Sequence, residues 1–439
     1  MRKSILSKFL KYITLSILGM IGISFYILAD TYFVANALGE YGLASLNLSI
    51  PVYSVINGMG LMVGIGGATR ANILKSQNKY KKADQVFASV IKLSFIISTI
   101  FVIIGSLGSK YLALVLGADT FTLSYTKIYL TTILSFAPFY ILNNVFLAFV
   151  RNDKNPKLSM IAMLLGSFFN IILDYVFMFP LQMGMFGAAF ATGIAPIISI
   201  FTLLSHFKNK KKRFNILKSK LKWSFILDIF SLGLSSFIIE ISSAVVLIIF
   251  NLVILGIKGN LGVAAYGIVA NLALVGIAIF TGLAQGIQPI ISKYYGSNEH
   301  ATVMKIRKYA LFTSLIISII IYSCVILFSD SIIHIFNKNN NIEISQITEI
   351  GLKIYFLGFF FAGINIVTAM FLSAIENAKG AFLITIARGL VIIVPLVLIL
   401  SKILNMIGVW LSFVVTELFV TLIAIYLIKK EKEEELQAI

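Results

Sequence analysis

Twelve apolar stretches of about twenty residues each follow one another along this 439-residue chain, beginning near residues 12, 46, 85, 122, 157, 186, 223, 263, 308, 349, 380 and 405. A helix of that length crosses the hydrocarbon core of a bilayer. Backbone amides in lipid must be bonded within the segment or around a closed barrel, and these unbroken Leu, Ile and Phe runs lack the alternation of barrel strands. The chain is therefore expected to be an all-α integral membrane protein with twelve transmembrane helices. Its composition agrees, with 59% hydrophobic residues, 12% charged residues and 36 phenylalanines.

Arg2, Lys3, Lys8 and Lys11 precede the first apolar stretch in the manner of a signal peptide, but no small-residue cleavage site follows, so the stretch is expected to remain as span 1. Basic residues then collect in alternate loops. They stand between Arg70 and Lys82, between Arg151 and Lys157, through Lys208 to Lys222, between Lys293 and Lys308, at Lys379, and at Lys429, Lys430 and Lys432. The intervening loops hold only Lys110, Lys258, Lys338, Lys353 and Lys402. The positive-inside rule then places both termini in the cytoplasm. The net charge of +18 is accounted for by this topology and by anionic lipid heads, and nucleic acid is not expected as a partner. The single cysteine, Cys324, excludes an intramolecular disulfide and a cysteine metal cluster.

The chain also repeats itself. Gly42-Leu-Ala-Ser returns as Gly262-Val-Ala-Ala, Gly66 as Gly286, Asn78 as Asn298, Lys157 as Lys379 and Gly187 as Gly408, at offsets of 220 to 222. A near-constant offset means two six-span lobes, 1–207 and 223–428, joined by a basic linker at 208–222 and followed by a charged tail at 429–439. Six is even, so both lobes share one orientation and are related by a pseudo-two-fold axis along the membrane normal. Transporters built from such repeats hold substrate between the lobes near the midplane.

Between Lys157 and His206 the only ionisable side chain is Asp174. A carboxylate in hydrocarbon costs at least roughly 2.5 to 3.5 kcal/mol, and such residues tend to mark ion or proton pathways. Asn170, four residues earlier, shares its helix face. Asp30 near the outer end of span 1 and Thr192 near the start of span 6 lie at matching depth. Two carboxylates, an amide, a hydroxyl and a backbone carbonyl form the hard-oxygen set that suits Na⁺ better than a transition metal. A proton is the competing occupant, because two close acids in low dielectric can share one. Asn170 and Thr192 cannot titrate, which favours Na⁺. The bland reading of Asp174 is a buried acid satisfied by Asn170 or by a tyrosine hydroxyl.

The second half carries its own charges, Glu240, Arg388 and Glu417, in spans 7, 11 and 12. Glu240 could face a central cavity and attract a cationic compound or pair with Arg388; Arg388 could equally pair with Glu417. Pro395 stands at the position equivalent to Asp174, so the second lobe does not duplicate that acid. A wide apolar and aromatic cavity between the lobes would suit amphipathic organic cations, with Phe25, Tyr26, Tyr53, Met59, Met62, Phe136, Tyr140 and Met163 as lining candidates. Pro51, Pro138, Pro196, Pro289 and Pro395 fall within spans and are expected to kink them.

No His-Glu-x-x-His, Gly-x-x-x-x-Gly-Lys-[Ser/Thr] or Gly-x-Ser-x-Gly occurs, and the three histidines fall at span ends or in loops. An enzyme is not expected. Without a P-loop, energy must come from an ion gradient. The glycines from Gly58 to Gly67 lie inside span 2, where small residues allow close helix contact.

Several motifs, in order along the chain, resemble the multidrug and toxic compound extrusion (MATE) family of bacterial efflux transporters. They are Asp30 with Gly39 and Gly42-Leu-Ala-Ser, Gly166...Asn170-Ile-Ile-Leu-Asp174, Gly184...Gly187-Ala-Ala...Ala191-Thr192, Ala264-Ala265-Tyr266-Gly267, Gly282-Leu-Ala-Gln-Gly-Ile-Gln-Pro289 and Gly408-Val-Trp410. The resemblance implies a two-lobed antiporter in the cell membrane, monomeric and without a cofactor, exporting drugs and organic cations against entering Na⁺ or H⁺. It implies a cation held in the first lobe at Asp30, Asn170, Asp174, Ala188 and Thr192. Thr368-Ala369-Met370 lacks the acid that some members carry in span 10, which leaves a second-lobe sodium site without support. A related flippase for lipid-linked oligosaccharides is the alternative, but it should carry several central basic residues, and Arg388 is the only one near mid-membrane.

Overall fold

The computed structural model describes residues 4–207, 222–337 and 341–437. The linker expected at 208–222 therefore lies outside the described residues except for Lys222, as do the tail side chains beyond Glu431. Among the described residues eight helices are long and apolar enough to cross a membrane, and the pair Leu123–Ser135 and Ala137–Asn152, bent by 48°, makes a ninth element. Three of the nine are each two crossings joined at a sharp break. Ile5–Ser76 breaks at Gly39, Trp223–Gly296 at Gly259 and Ile393–Gln437 at Asn405.

The twelve crossings are span 1 (5–38), span 2 (40–76), span 3 (Tyr80–Val115), span 4 (123–152), span 5 (Pro156–Met178), span 6 (Gly184–Phe207), span 7 (223–258), span 8 (260–296), span 9 (His300–Leu327), span 10 (Ile342–Ala374), span 11 (378–404) and span 12 (from 406). Pro138 follows the bend in span 4, while Pro51, Pro196 and Pro289 lie inside helices.

The internal repeat is written into the backbone. Gly39 turns at φ 63, ψ −153 and Gly259 at φ 61, ψ −152. This conformation costs L side chains and suits glycine. Asn78 and Asn298 share φ 61 and 59, and Lys154 and Glu376 share 66 and 64. Even the caps correspond: Asp119 Oδ1 accepts from the amides two and three residues on, and so does Asn341 Oδ1. Two six-helix lobes thus follow the same path at offsets of 220 to 222 residues, as the sequence repeat predicts.

Small residues decide how the lobes meet. A Cβ on Gly66 of span 2 would lie 2.1 Å from the Ile229 carbonyl oxygen of span 7, and one on Gly233 would lie 1.9 Å from the Met62 carbonyl oxygen. The symmetric crossing pairs Gly282 and Gly286 of span 8 with Ile17 and Ile13 of span 1. Backbones this close exclude any side chain between them. Around these crossings Asn72 Nδ2 donates to Ser292 Oγ (2.8 Å) and to the Pro289 carbonyl (2.9 Å). Gln288 donates to Thr69 Oγ1 (2.7 Å) and accepts from Asn152 (2.9 Å), while Arg151 donates to Gln285 Oε1 (2.8 Å). All lie toward the end that carries the basic loops. The lobes are thus held closely together at the basic end.

Candidate functional site

Spans 1, 5 and 6 pack together in the first lobe and bring Asp30, Asn170, Asp174, Ala188 and Thr192 into its interior. Asp30 is 7% exposed, Thr192 5%, and the other three 0%. On span 5 the four-residue spacing sets Asn170 and Asp174 on one face, and Ser167 three residues before Asn170 extends it. On span 6 the Thr192 hydroxyl donates to the Ala188 carbonyl at 3.0 Å, placing a hydroxyl and a carbonyl oxygen together. Asp30 and Asp174 lie within electrostatic reach of one another.

Much of this group is buried without protein partners. Both carboxylate oxygens of Asp174, both amide atoms of Asn170 and Oδ1 of Asp30 make no hydrogen bond, nor do the hydroxyls of Thr126, Tyr140, Ser167 and Ser199. Each unpaired buried group costs about 1 to 3 kcal/mol, so a native lobe tolerates this many only where something other than protein satisfies them. The alternative in which Asn170 or a tyrosine simply satisfies Asp174 is not what the structure contains. Among the described residues no three His, Cys, Asp or Glu side chains converge. An ion among the first-lobe groups would therefore meet two carboxylates and otherwise neutral oxygens, a set that fits Na⁺.

Span 4 supplies a residue that sequence reasoning missed. Tyr129, 4% exposed, lies within electrostatic reach of both Asp30 and Asp174. Nothing in its local sequence marks it among 18 tyrosines. Ser167, by contrast, was available from its helical spacing to Asn170 and Asp174.

The lining candidates divide. Tyr26 and Tyr53 share a hydroxyl–hydroxyl hydrogen bond of 3.1 Å, and the Tyr53 ring meets Tyr140 edge-on at 5.5 Å. Tyr53 is within reach of Asp30 on one side and Glu240 on the other. Glu240, from the second lobe, accepts a hydrogen bond from Asn57 of the first, which in turn accepts from Asn144 at 2.9 Å. A Cβ on Gly58 would stand 3.2 Å from that of Glu240. Phe25 is exposed and Met59 half-buried. Met62 is buried with its backbone in the lobe crossing, Met163 packs beneath Gly19 of span 1, and Phe136 lies over Gly193.

In the second lobe Arg388 pairs with Glu417, not with Glu240. Glu417, 1% exposed, also accepts from Asn365 Nδ2 at 2.7 Å, and Thr421 donates to Asn365 Oδ1 at 3.0 Å. Arg388 sits on a π-helical turn, Ala387–Val391, which widens span 11.

The repeat does not reproduce the first-lobe group of acids, amide and hydroxyl here. Phe250, Pro395, Val409 and Phe413 occupy the places of Asp30, Asp174, Ala188 and Thr192. The aromatic rings have changed helices. In the first lobe Phe136 of span 4 lies over Gly193 of span 6, 2.5 Å from where its Cβ would be; in the second, Phe413 of span 12 lies over Gly358 of span 10 at the same distance. Tyr355 stacks on Phe413 with centroids 4.2 Å apart, closing the space.

The chain matches the MatE family over residues 16–176 and 235–399. It is 28% identical over 411 residues to the multidrug export protein MepA of Staphylococcus haemolyticus, covering 92% of this chain and 88% of that protein. It is 27% identical over 405 residues to MepA of Staphylococcus saprophyticus, covering 92% and 89%. A solved outward-facing structure of a multidrug resistance MATE transporter superimposes with a TM-score of 0.92 at 22% identity, over 100% of this chain and 98% of the other. The two lobes, their shared path and this family match together place the chain in the MATE family of secondary efflux transporters, which are not enzymes.

Proposed function

We propose that this protein is a cation-coupled antiporter that exports amphipathic, often cationic, organic compounds across the bacterial cell membrane by alternating access. The observation that carries this reading is the unpartnered group of Asp30, Asn170 and Asp174 inside the first lobe. A cation or proton entering down its gradient satisfies that group in one state and not the other, and the gradient supplies the energy for export. The two MepA relatives are named as multidrug export proteins, which supports drugs as the cargo. Na⁺ is favoured over H⁺ by the neutral oxygens of Asn170, Thr192 and the Ala188 carbonyl, since these bind an ion but carry no proton.

Substrate enters a cleft whose polar line runs from Asp30 through Tyr53 to Glu240. Glu240 supplies a negative charge for an organic cation, and Tyr26, Tyr53 and Tyr140 supply aromatic faces. The basic end, where the lobes are held together, faces the cytoplasm under the positive-inside rule, so the cleft opens outward. A flippase of pyrophosphate-linked sugars is disfavoured by the pairing of Arg388, the one central arginine, with Glu417. Ethidium export from right-side-out proteoliposomes with an imposed Na⁺ or pH gradient tests the reading. Export driven by neither gradient overturns it.

A further inference from the structure

At the basic end the two lobes fill one equivalent place with different chemistry. In the first lobe Phe87 of span 3 lies against Phe149 of span 4, with ring centroids 4.7 Å apart, and stacks on Phe207 at the end of span 6 at 5.8 Å. The repeat carries these three rings to Arg307 of span 9, Phe371 of span 10 and Ile428 of span 12, at offsets of 220, 222 and 221. Each offset is fixed nearby. Asn78 and Asn298 share a backbone turn two residues before spans 3 and 9, Lys154 and Glu376 share one just after spans 4 and 10, and Gly187 and Gly408 match in spans 6 and 12.

A guanidinium thus stands where the first lobe has its middle ring, and a shorter isoleucine where it has the third. Arg307 lies over the face of Phe371, its Cζ 5.4 Å from the ring centroid. It lines a pocket between spans 9, 10 and 12 walled by Val303, Met304 and Ile428, with His300 and Glu431 also lining it. Arg307 Nε is buried and has no hydrogen-bond partner, and among the described residues no ion pair takes up this guanidinium. The one acid of the pocket lining, Glu431, accepts from Asn377 Nδ2. A buried charged donor without an acceptor is destabilising, and native interiors keep few of them. The pocket therefore calls for an anion.

We propose that this pocket binds the phosphodiester headgroup of an anionic phospholipid from the inner leaflet, with Arg307 as its anion-binding residue. Arg307 stands seven residues into span 9 from His300, about 10 Å along the helix, at the end whose basic loops face the anionic leaflet. The planar guanidinium matches two phosphate oxygens at once, and stacking on Phe371 holds it flat. His300, Met304 and Arg307 share one helix face, which Leu311 and Leu315 continue toward the membrane centre. Leu315 is exposed, so an acyl chain can run along that face from the headgroup. The site is separate from the first-lobe cation group and from the Glu240 cleft, and it uses the orientation given by the loop charges without resting on the export reading.

The test titrates the full chain, delipidated in detergent, with phosphatidylglycerol and counts bound lipid by native mass spectrometry. Arg307→Gln should weaken the tightest binding event about tenfold. Arg307→Phe, which gives the second lobe the ring that the first lobe has, should weaken it as much. Lys305→Gln, at an exposed position of the same helix, should leave it nearly unchanged, and inorganic phosphate should not displace the lipid. Unchanged binding in Arg307→Gln overturns the site. An equal loss in Lys305→Gln also overturns it, since the attraction is then spread over the basic end. Displacement by inorganic phosphate makes the ligand a free anion and overturns the lipid assignment. Binding that weakens in Glu431→Gln shows that the pocket reads positive charge and overturns it as well. If Arg307→Gln does not fold, Arg307→Phe decides: weakened binding supports the site, and unchanged binding overturns it.

Discussion

Trp410 lies across the backbone of Gly351, its ring 2.8 Å from where a Cβ would be. Gly351 is the second-lobe counterpart of Tyr129, the span 4 tyrosine beside the first-lobe acids. A ring that one lobe takes from span 4 the other takes from span 12, and the exchange fills the space that in the first lobe holds Asp30, Asp174 and Thr192. The lobes share a backbone path and differ in the side chains that fill it.

Trp410 is 1% exposed, and replacing it with alanine should cost about 3 to 5 kcal/mol. Thermal unfolding in detergent measures this. If the second lobe is a packed support, ion-driven ethidium export by the surviving folded Trp410→Ala fraction should keep its dependence on Asp174.

The crossing at Gly233 should be intolerant of even one methyl. Gly233→Ala must push the Met62 carbonyl away, an overpacking of about 1 to 3 kcal/mol that falls only on the state sealed at the basic end. The closed-to-open ratio should drop by about 5- to 150-fold. Export rate per inserted molecule should fall with it, and Gly256→Ala, which meets nothing within 4 Å, should be neutral in the same assay.

Breaking the Arg388–Glu417 pair should be worse than removing it. A lone buried charge costs about 3 to 5 kcal/mol, whereas replacing both partners can approach neutrality. Arg388→Met should lower the unfolding temperature more than Arg388→Met/Glu417→Gln does. A double variant less stable than the single would refute the pairing.

Asp119, exposed in the loop before span 4, is held below the usual carboxylate range by hydrogen bonds from the Thr122 hydroxyl and amide, with the Phe121 amide adding to them. Its folded pKa is depressed, so the cap contributes above the ordinary aspartate range near pH 4 and is lost as pH falls through the lower folded value. Asp119→Asn should keep the cap, as Asn341 does in the second lobe, and remove that acid-dependent part. Hydrogen exchange at the start of span 4 between about pH 5 and pH 3 reads it out.

Much of the fold was legible because span length, loop charge and the repeat are one-dimensional signals. The twelve crossings come from these. The first-lobe group was legible for the same reason, since Asp174 is the only charge in its run and Asn170 shares its face. Contacts between residues far apart in the chain were not. Nothing near Arg70 names Asp228 or Glu376 as its partners, and Tyr129 is one aromatic among many until span 4 is packed against spans 1 and 5. Met163 read as a lining candidate because a methionine in an apolar helix carries no sign of which face meets a neighbour, and it is the absence of a side chain at Gly19 that seats it in the packed interior.

The central claim is that Na⁺ and drug act in opposition through Asp174. Ethidium binding to the purified transporter, followed by fluorescence anisotropy at fixed pH with K⁺ replaced by Na⁺ at constant ionic strength, tests it most directly. The account predicts that Na⁺ weakens ethidium binding about 5- to 150-fold in the parent protein and that Asp174→Asn abolishes the effect while still binding ethidium. Affinity that is unchanged by Na⁺ at every pH, or a Na⁺ effect that survives Asp174→Asn undiminished, would contradict it.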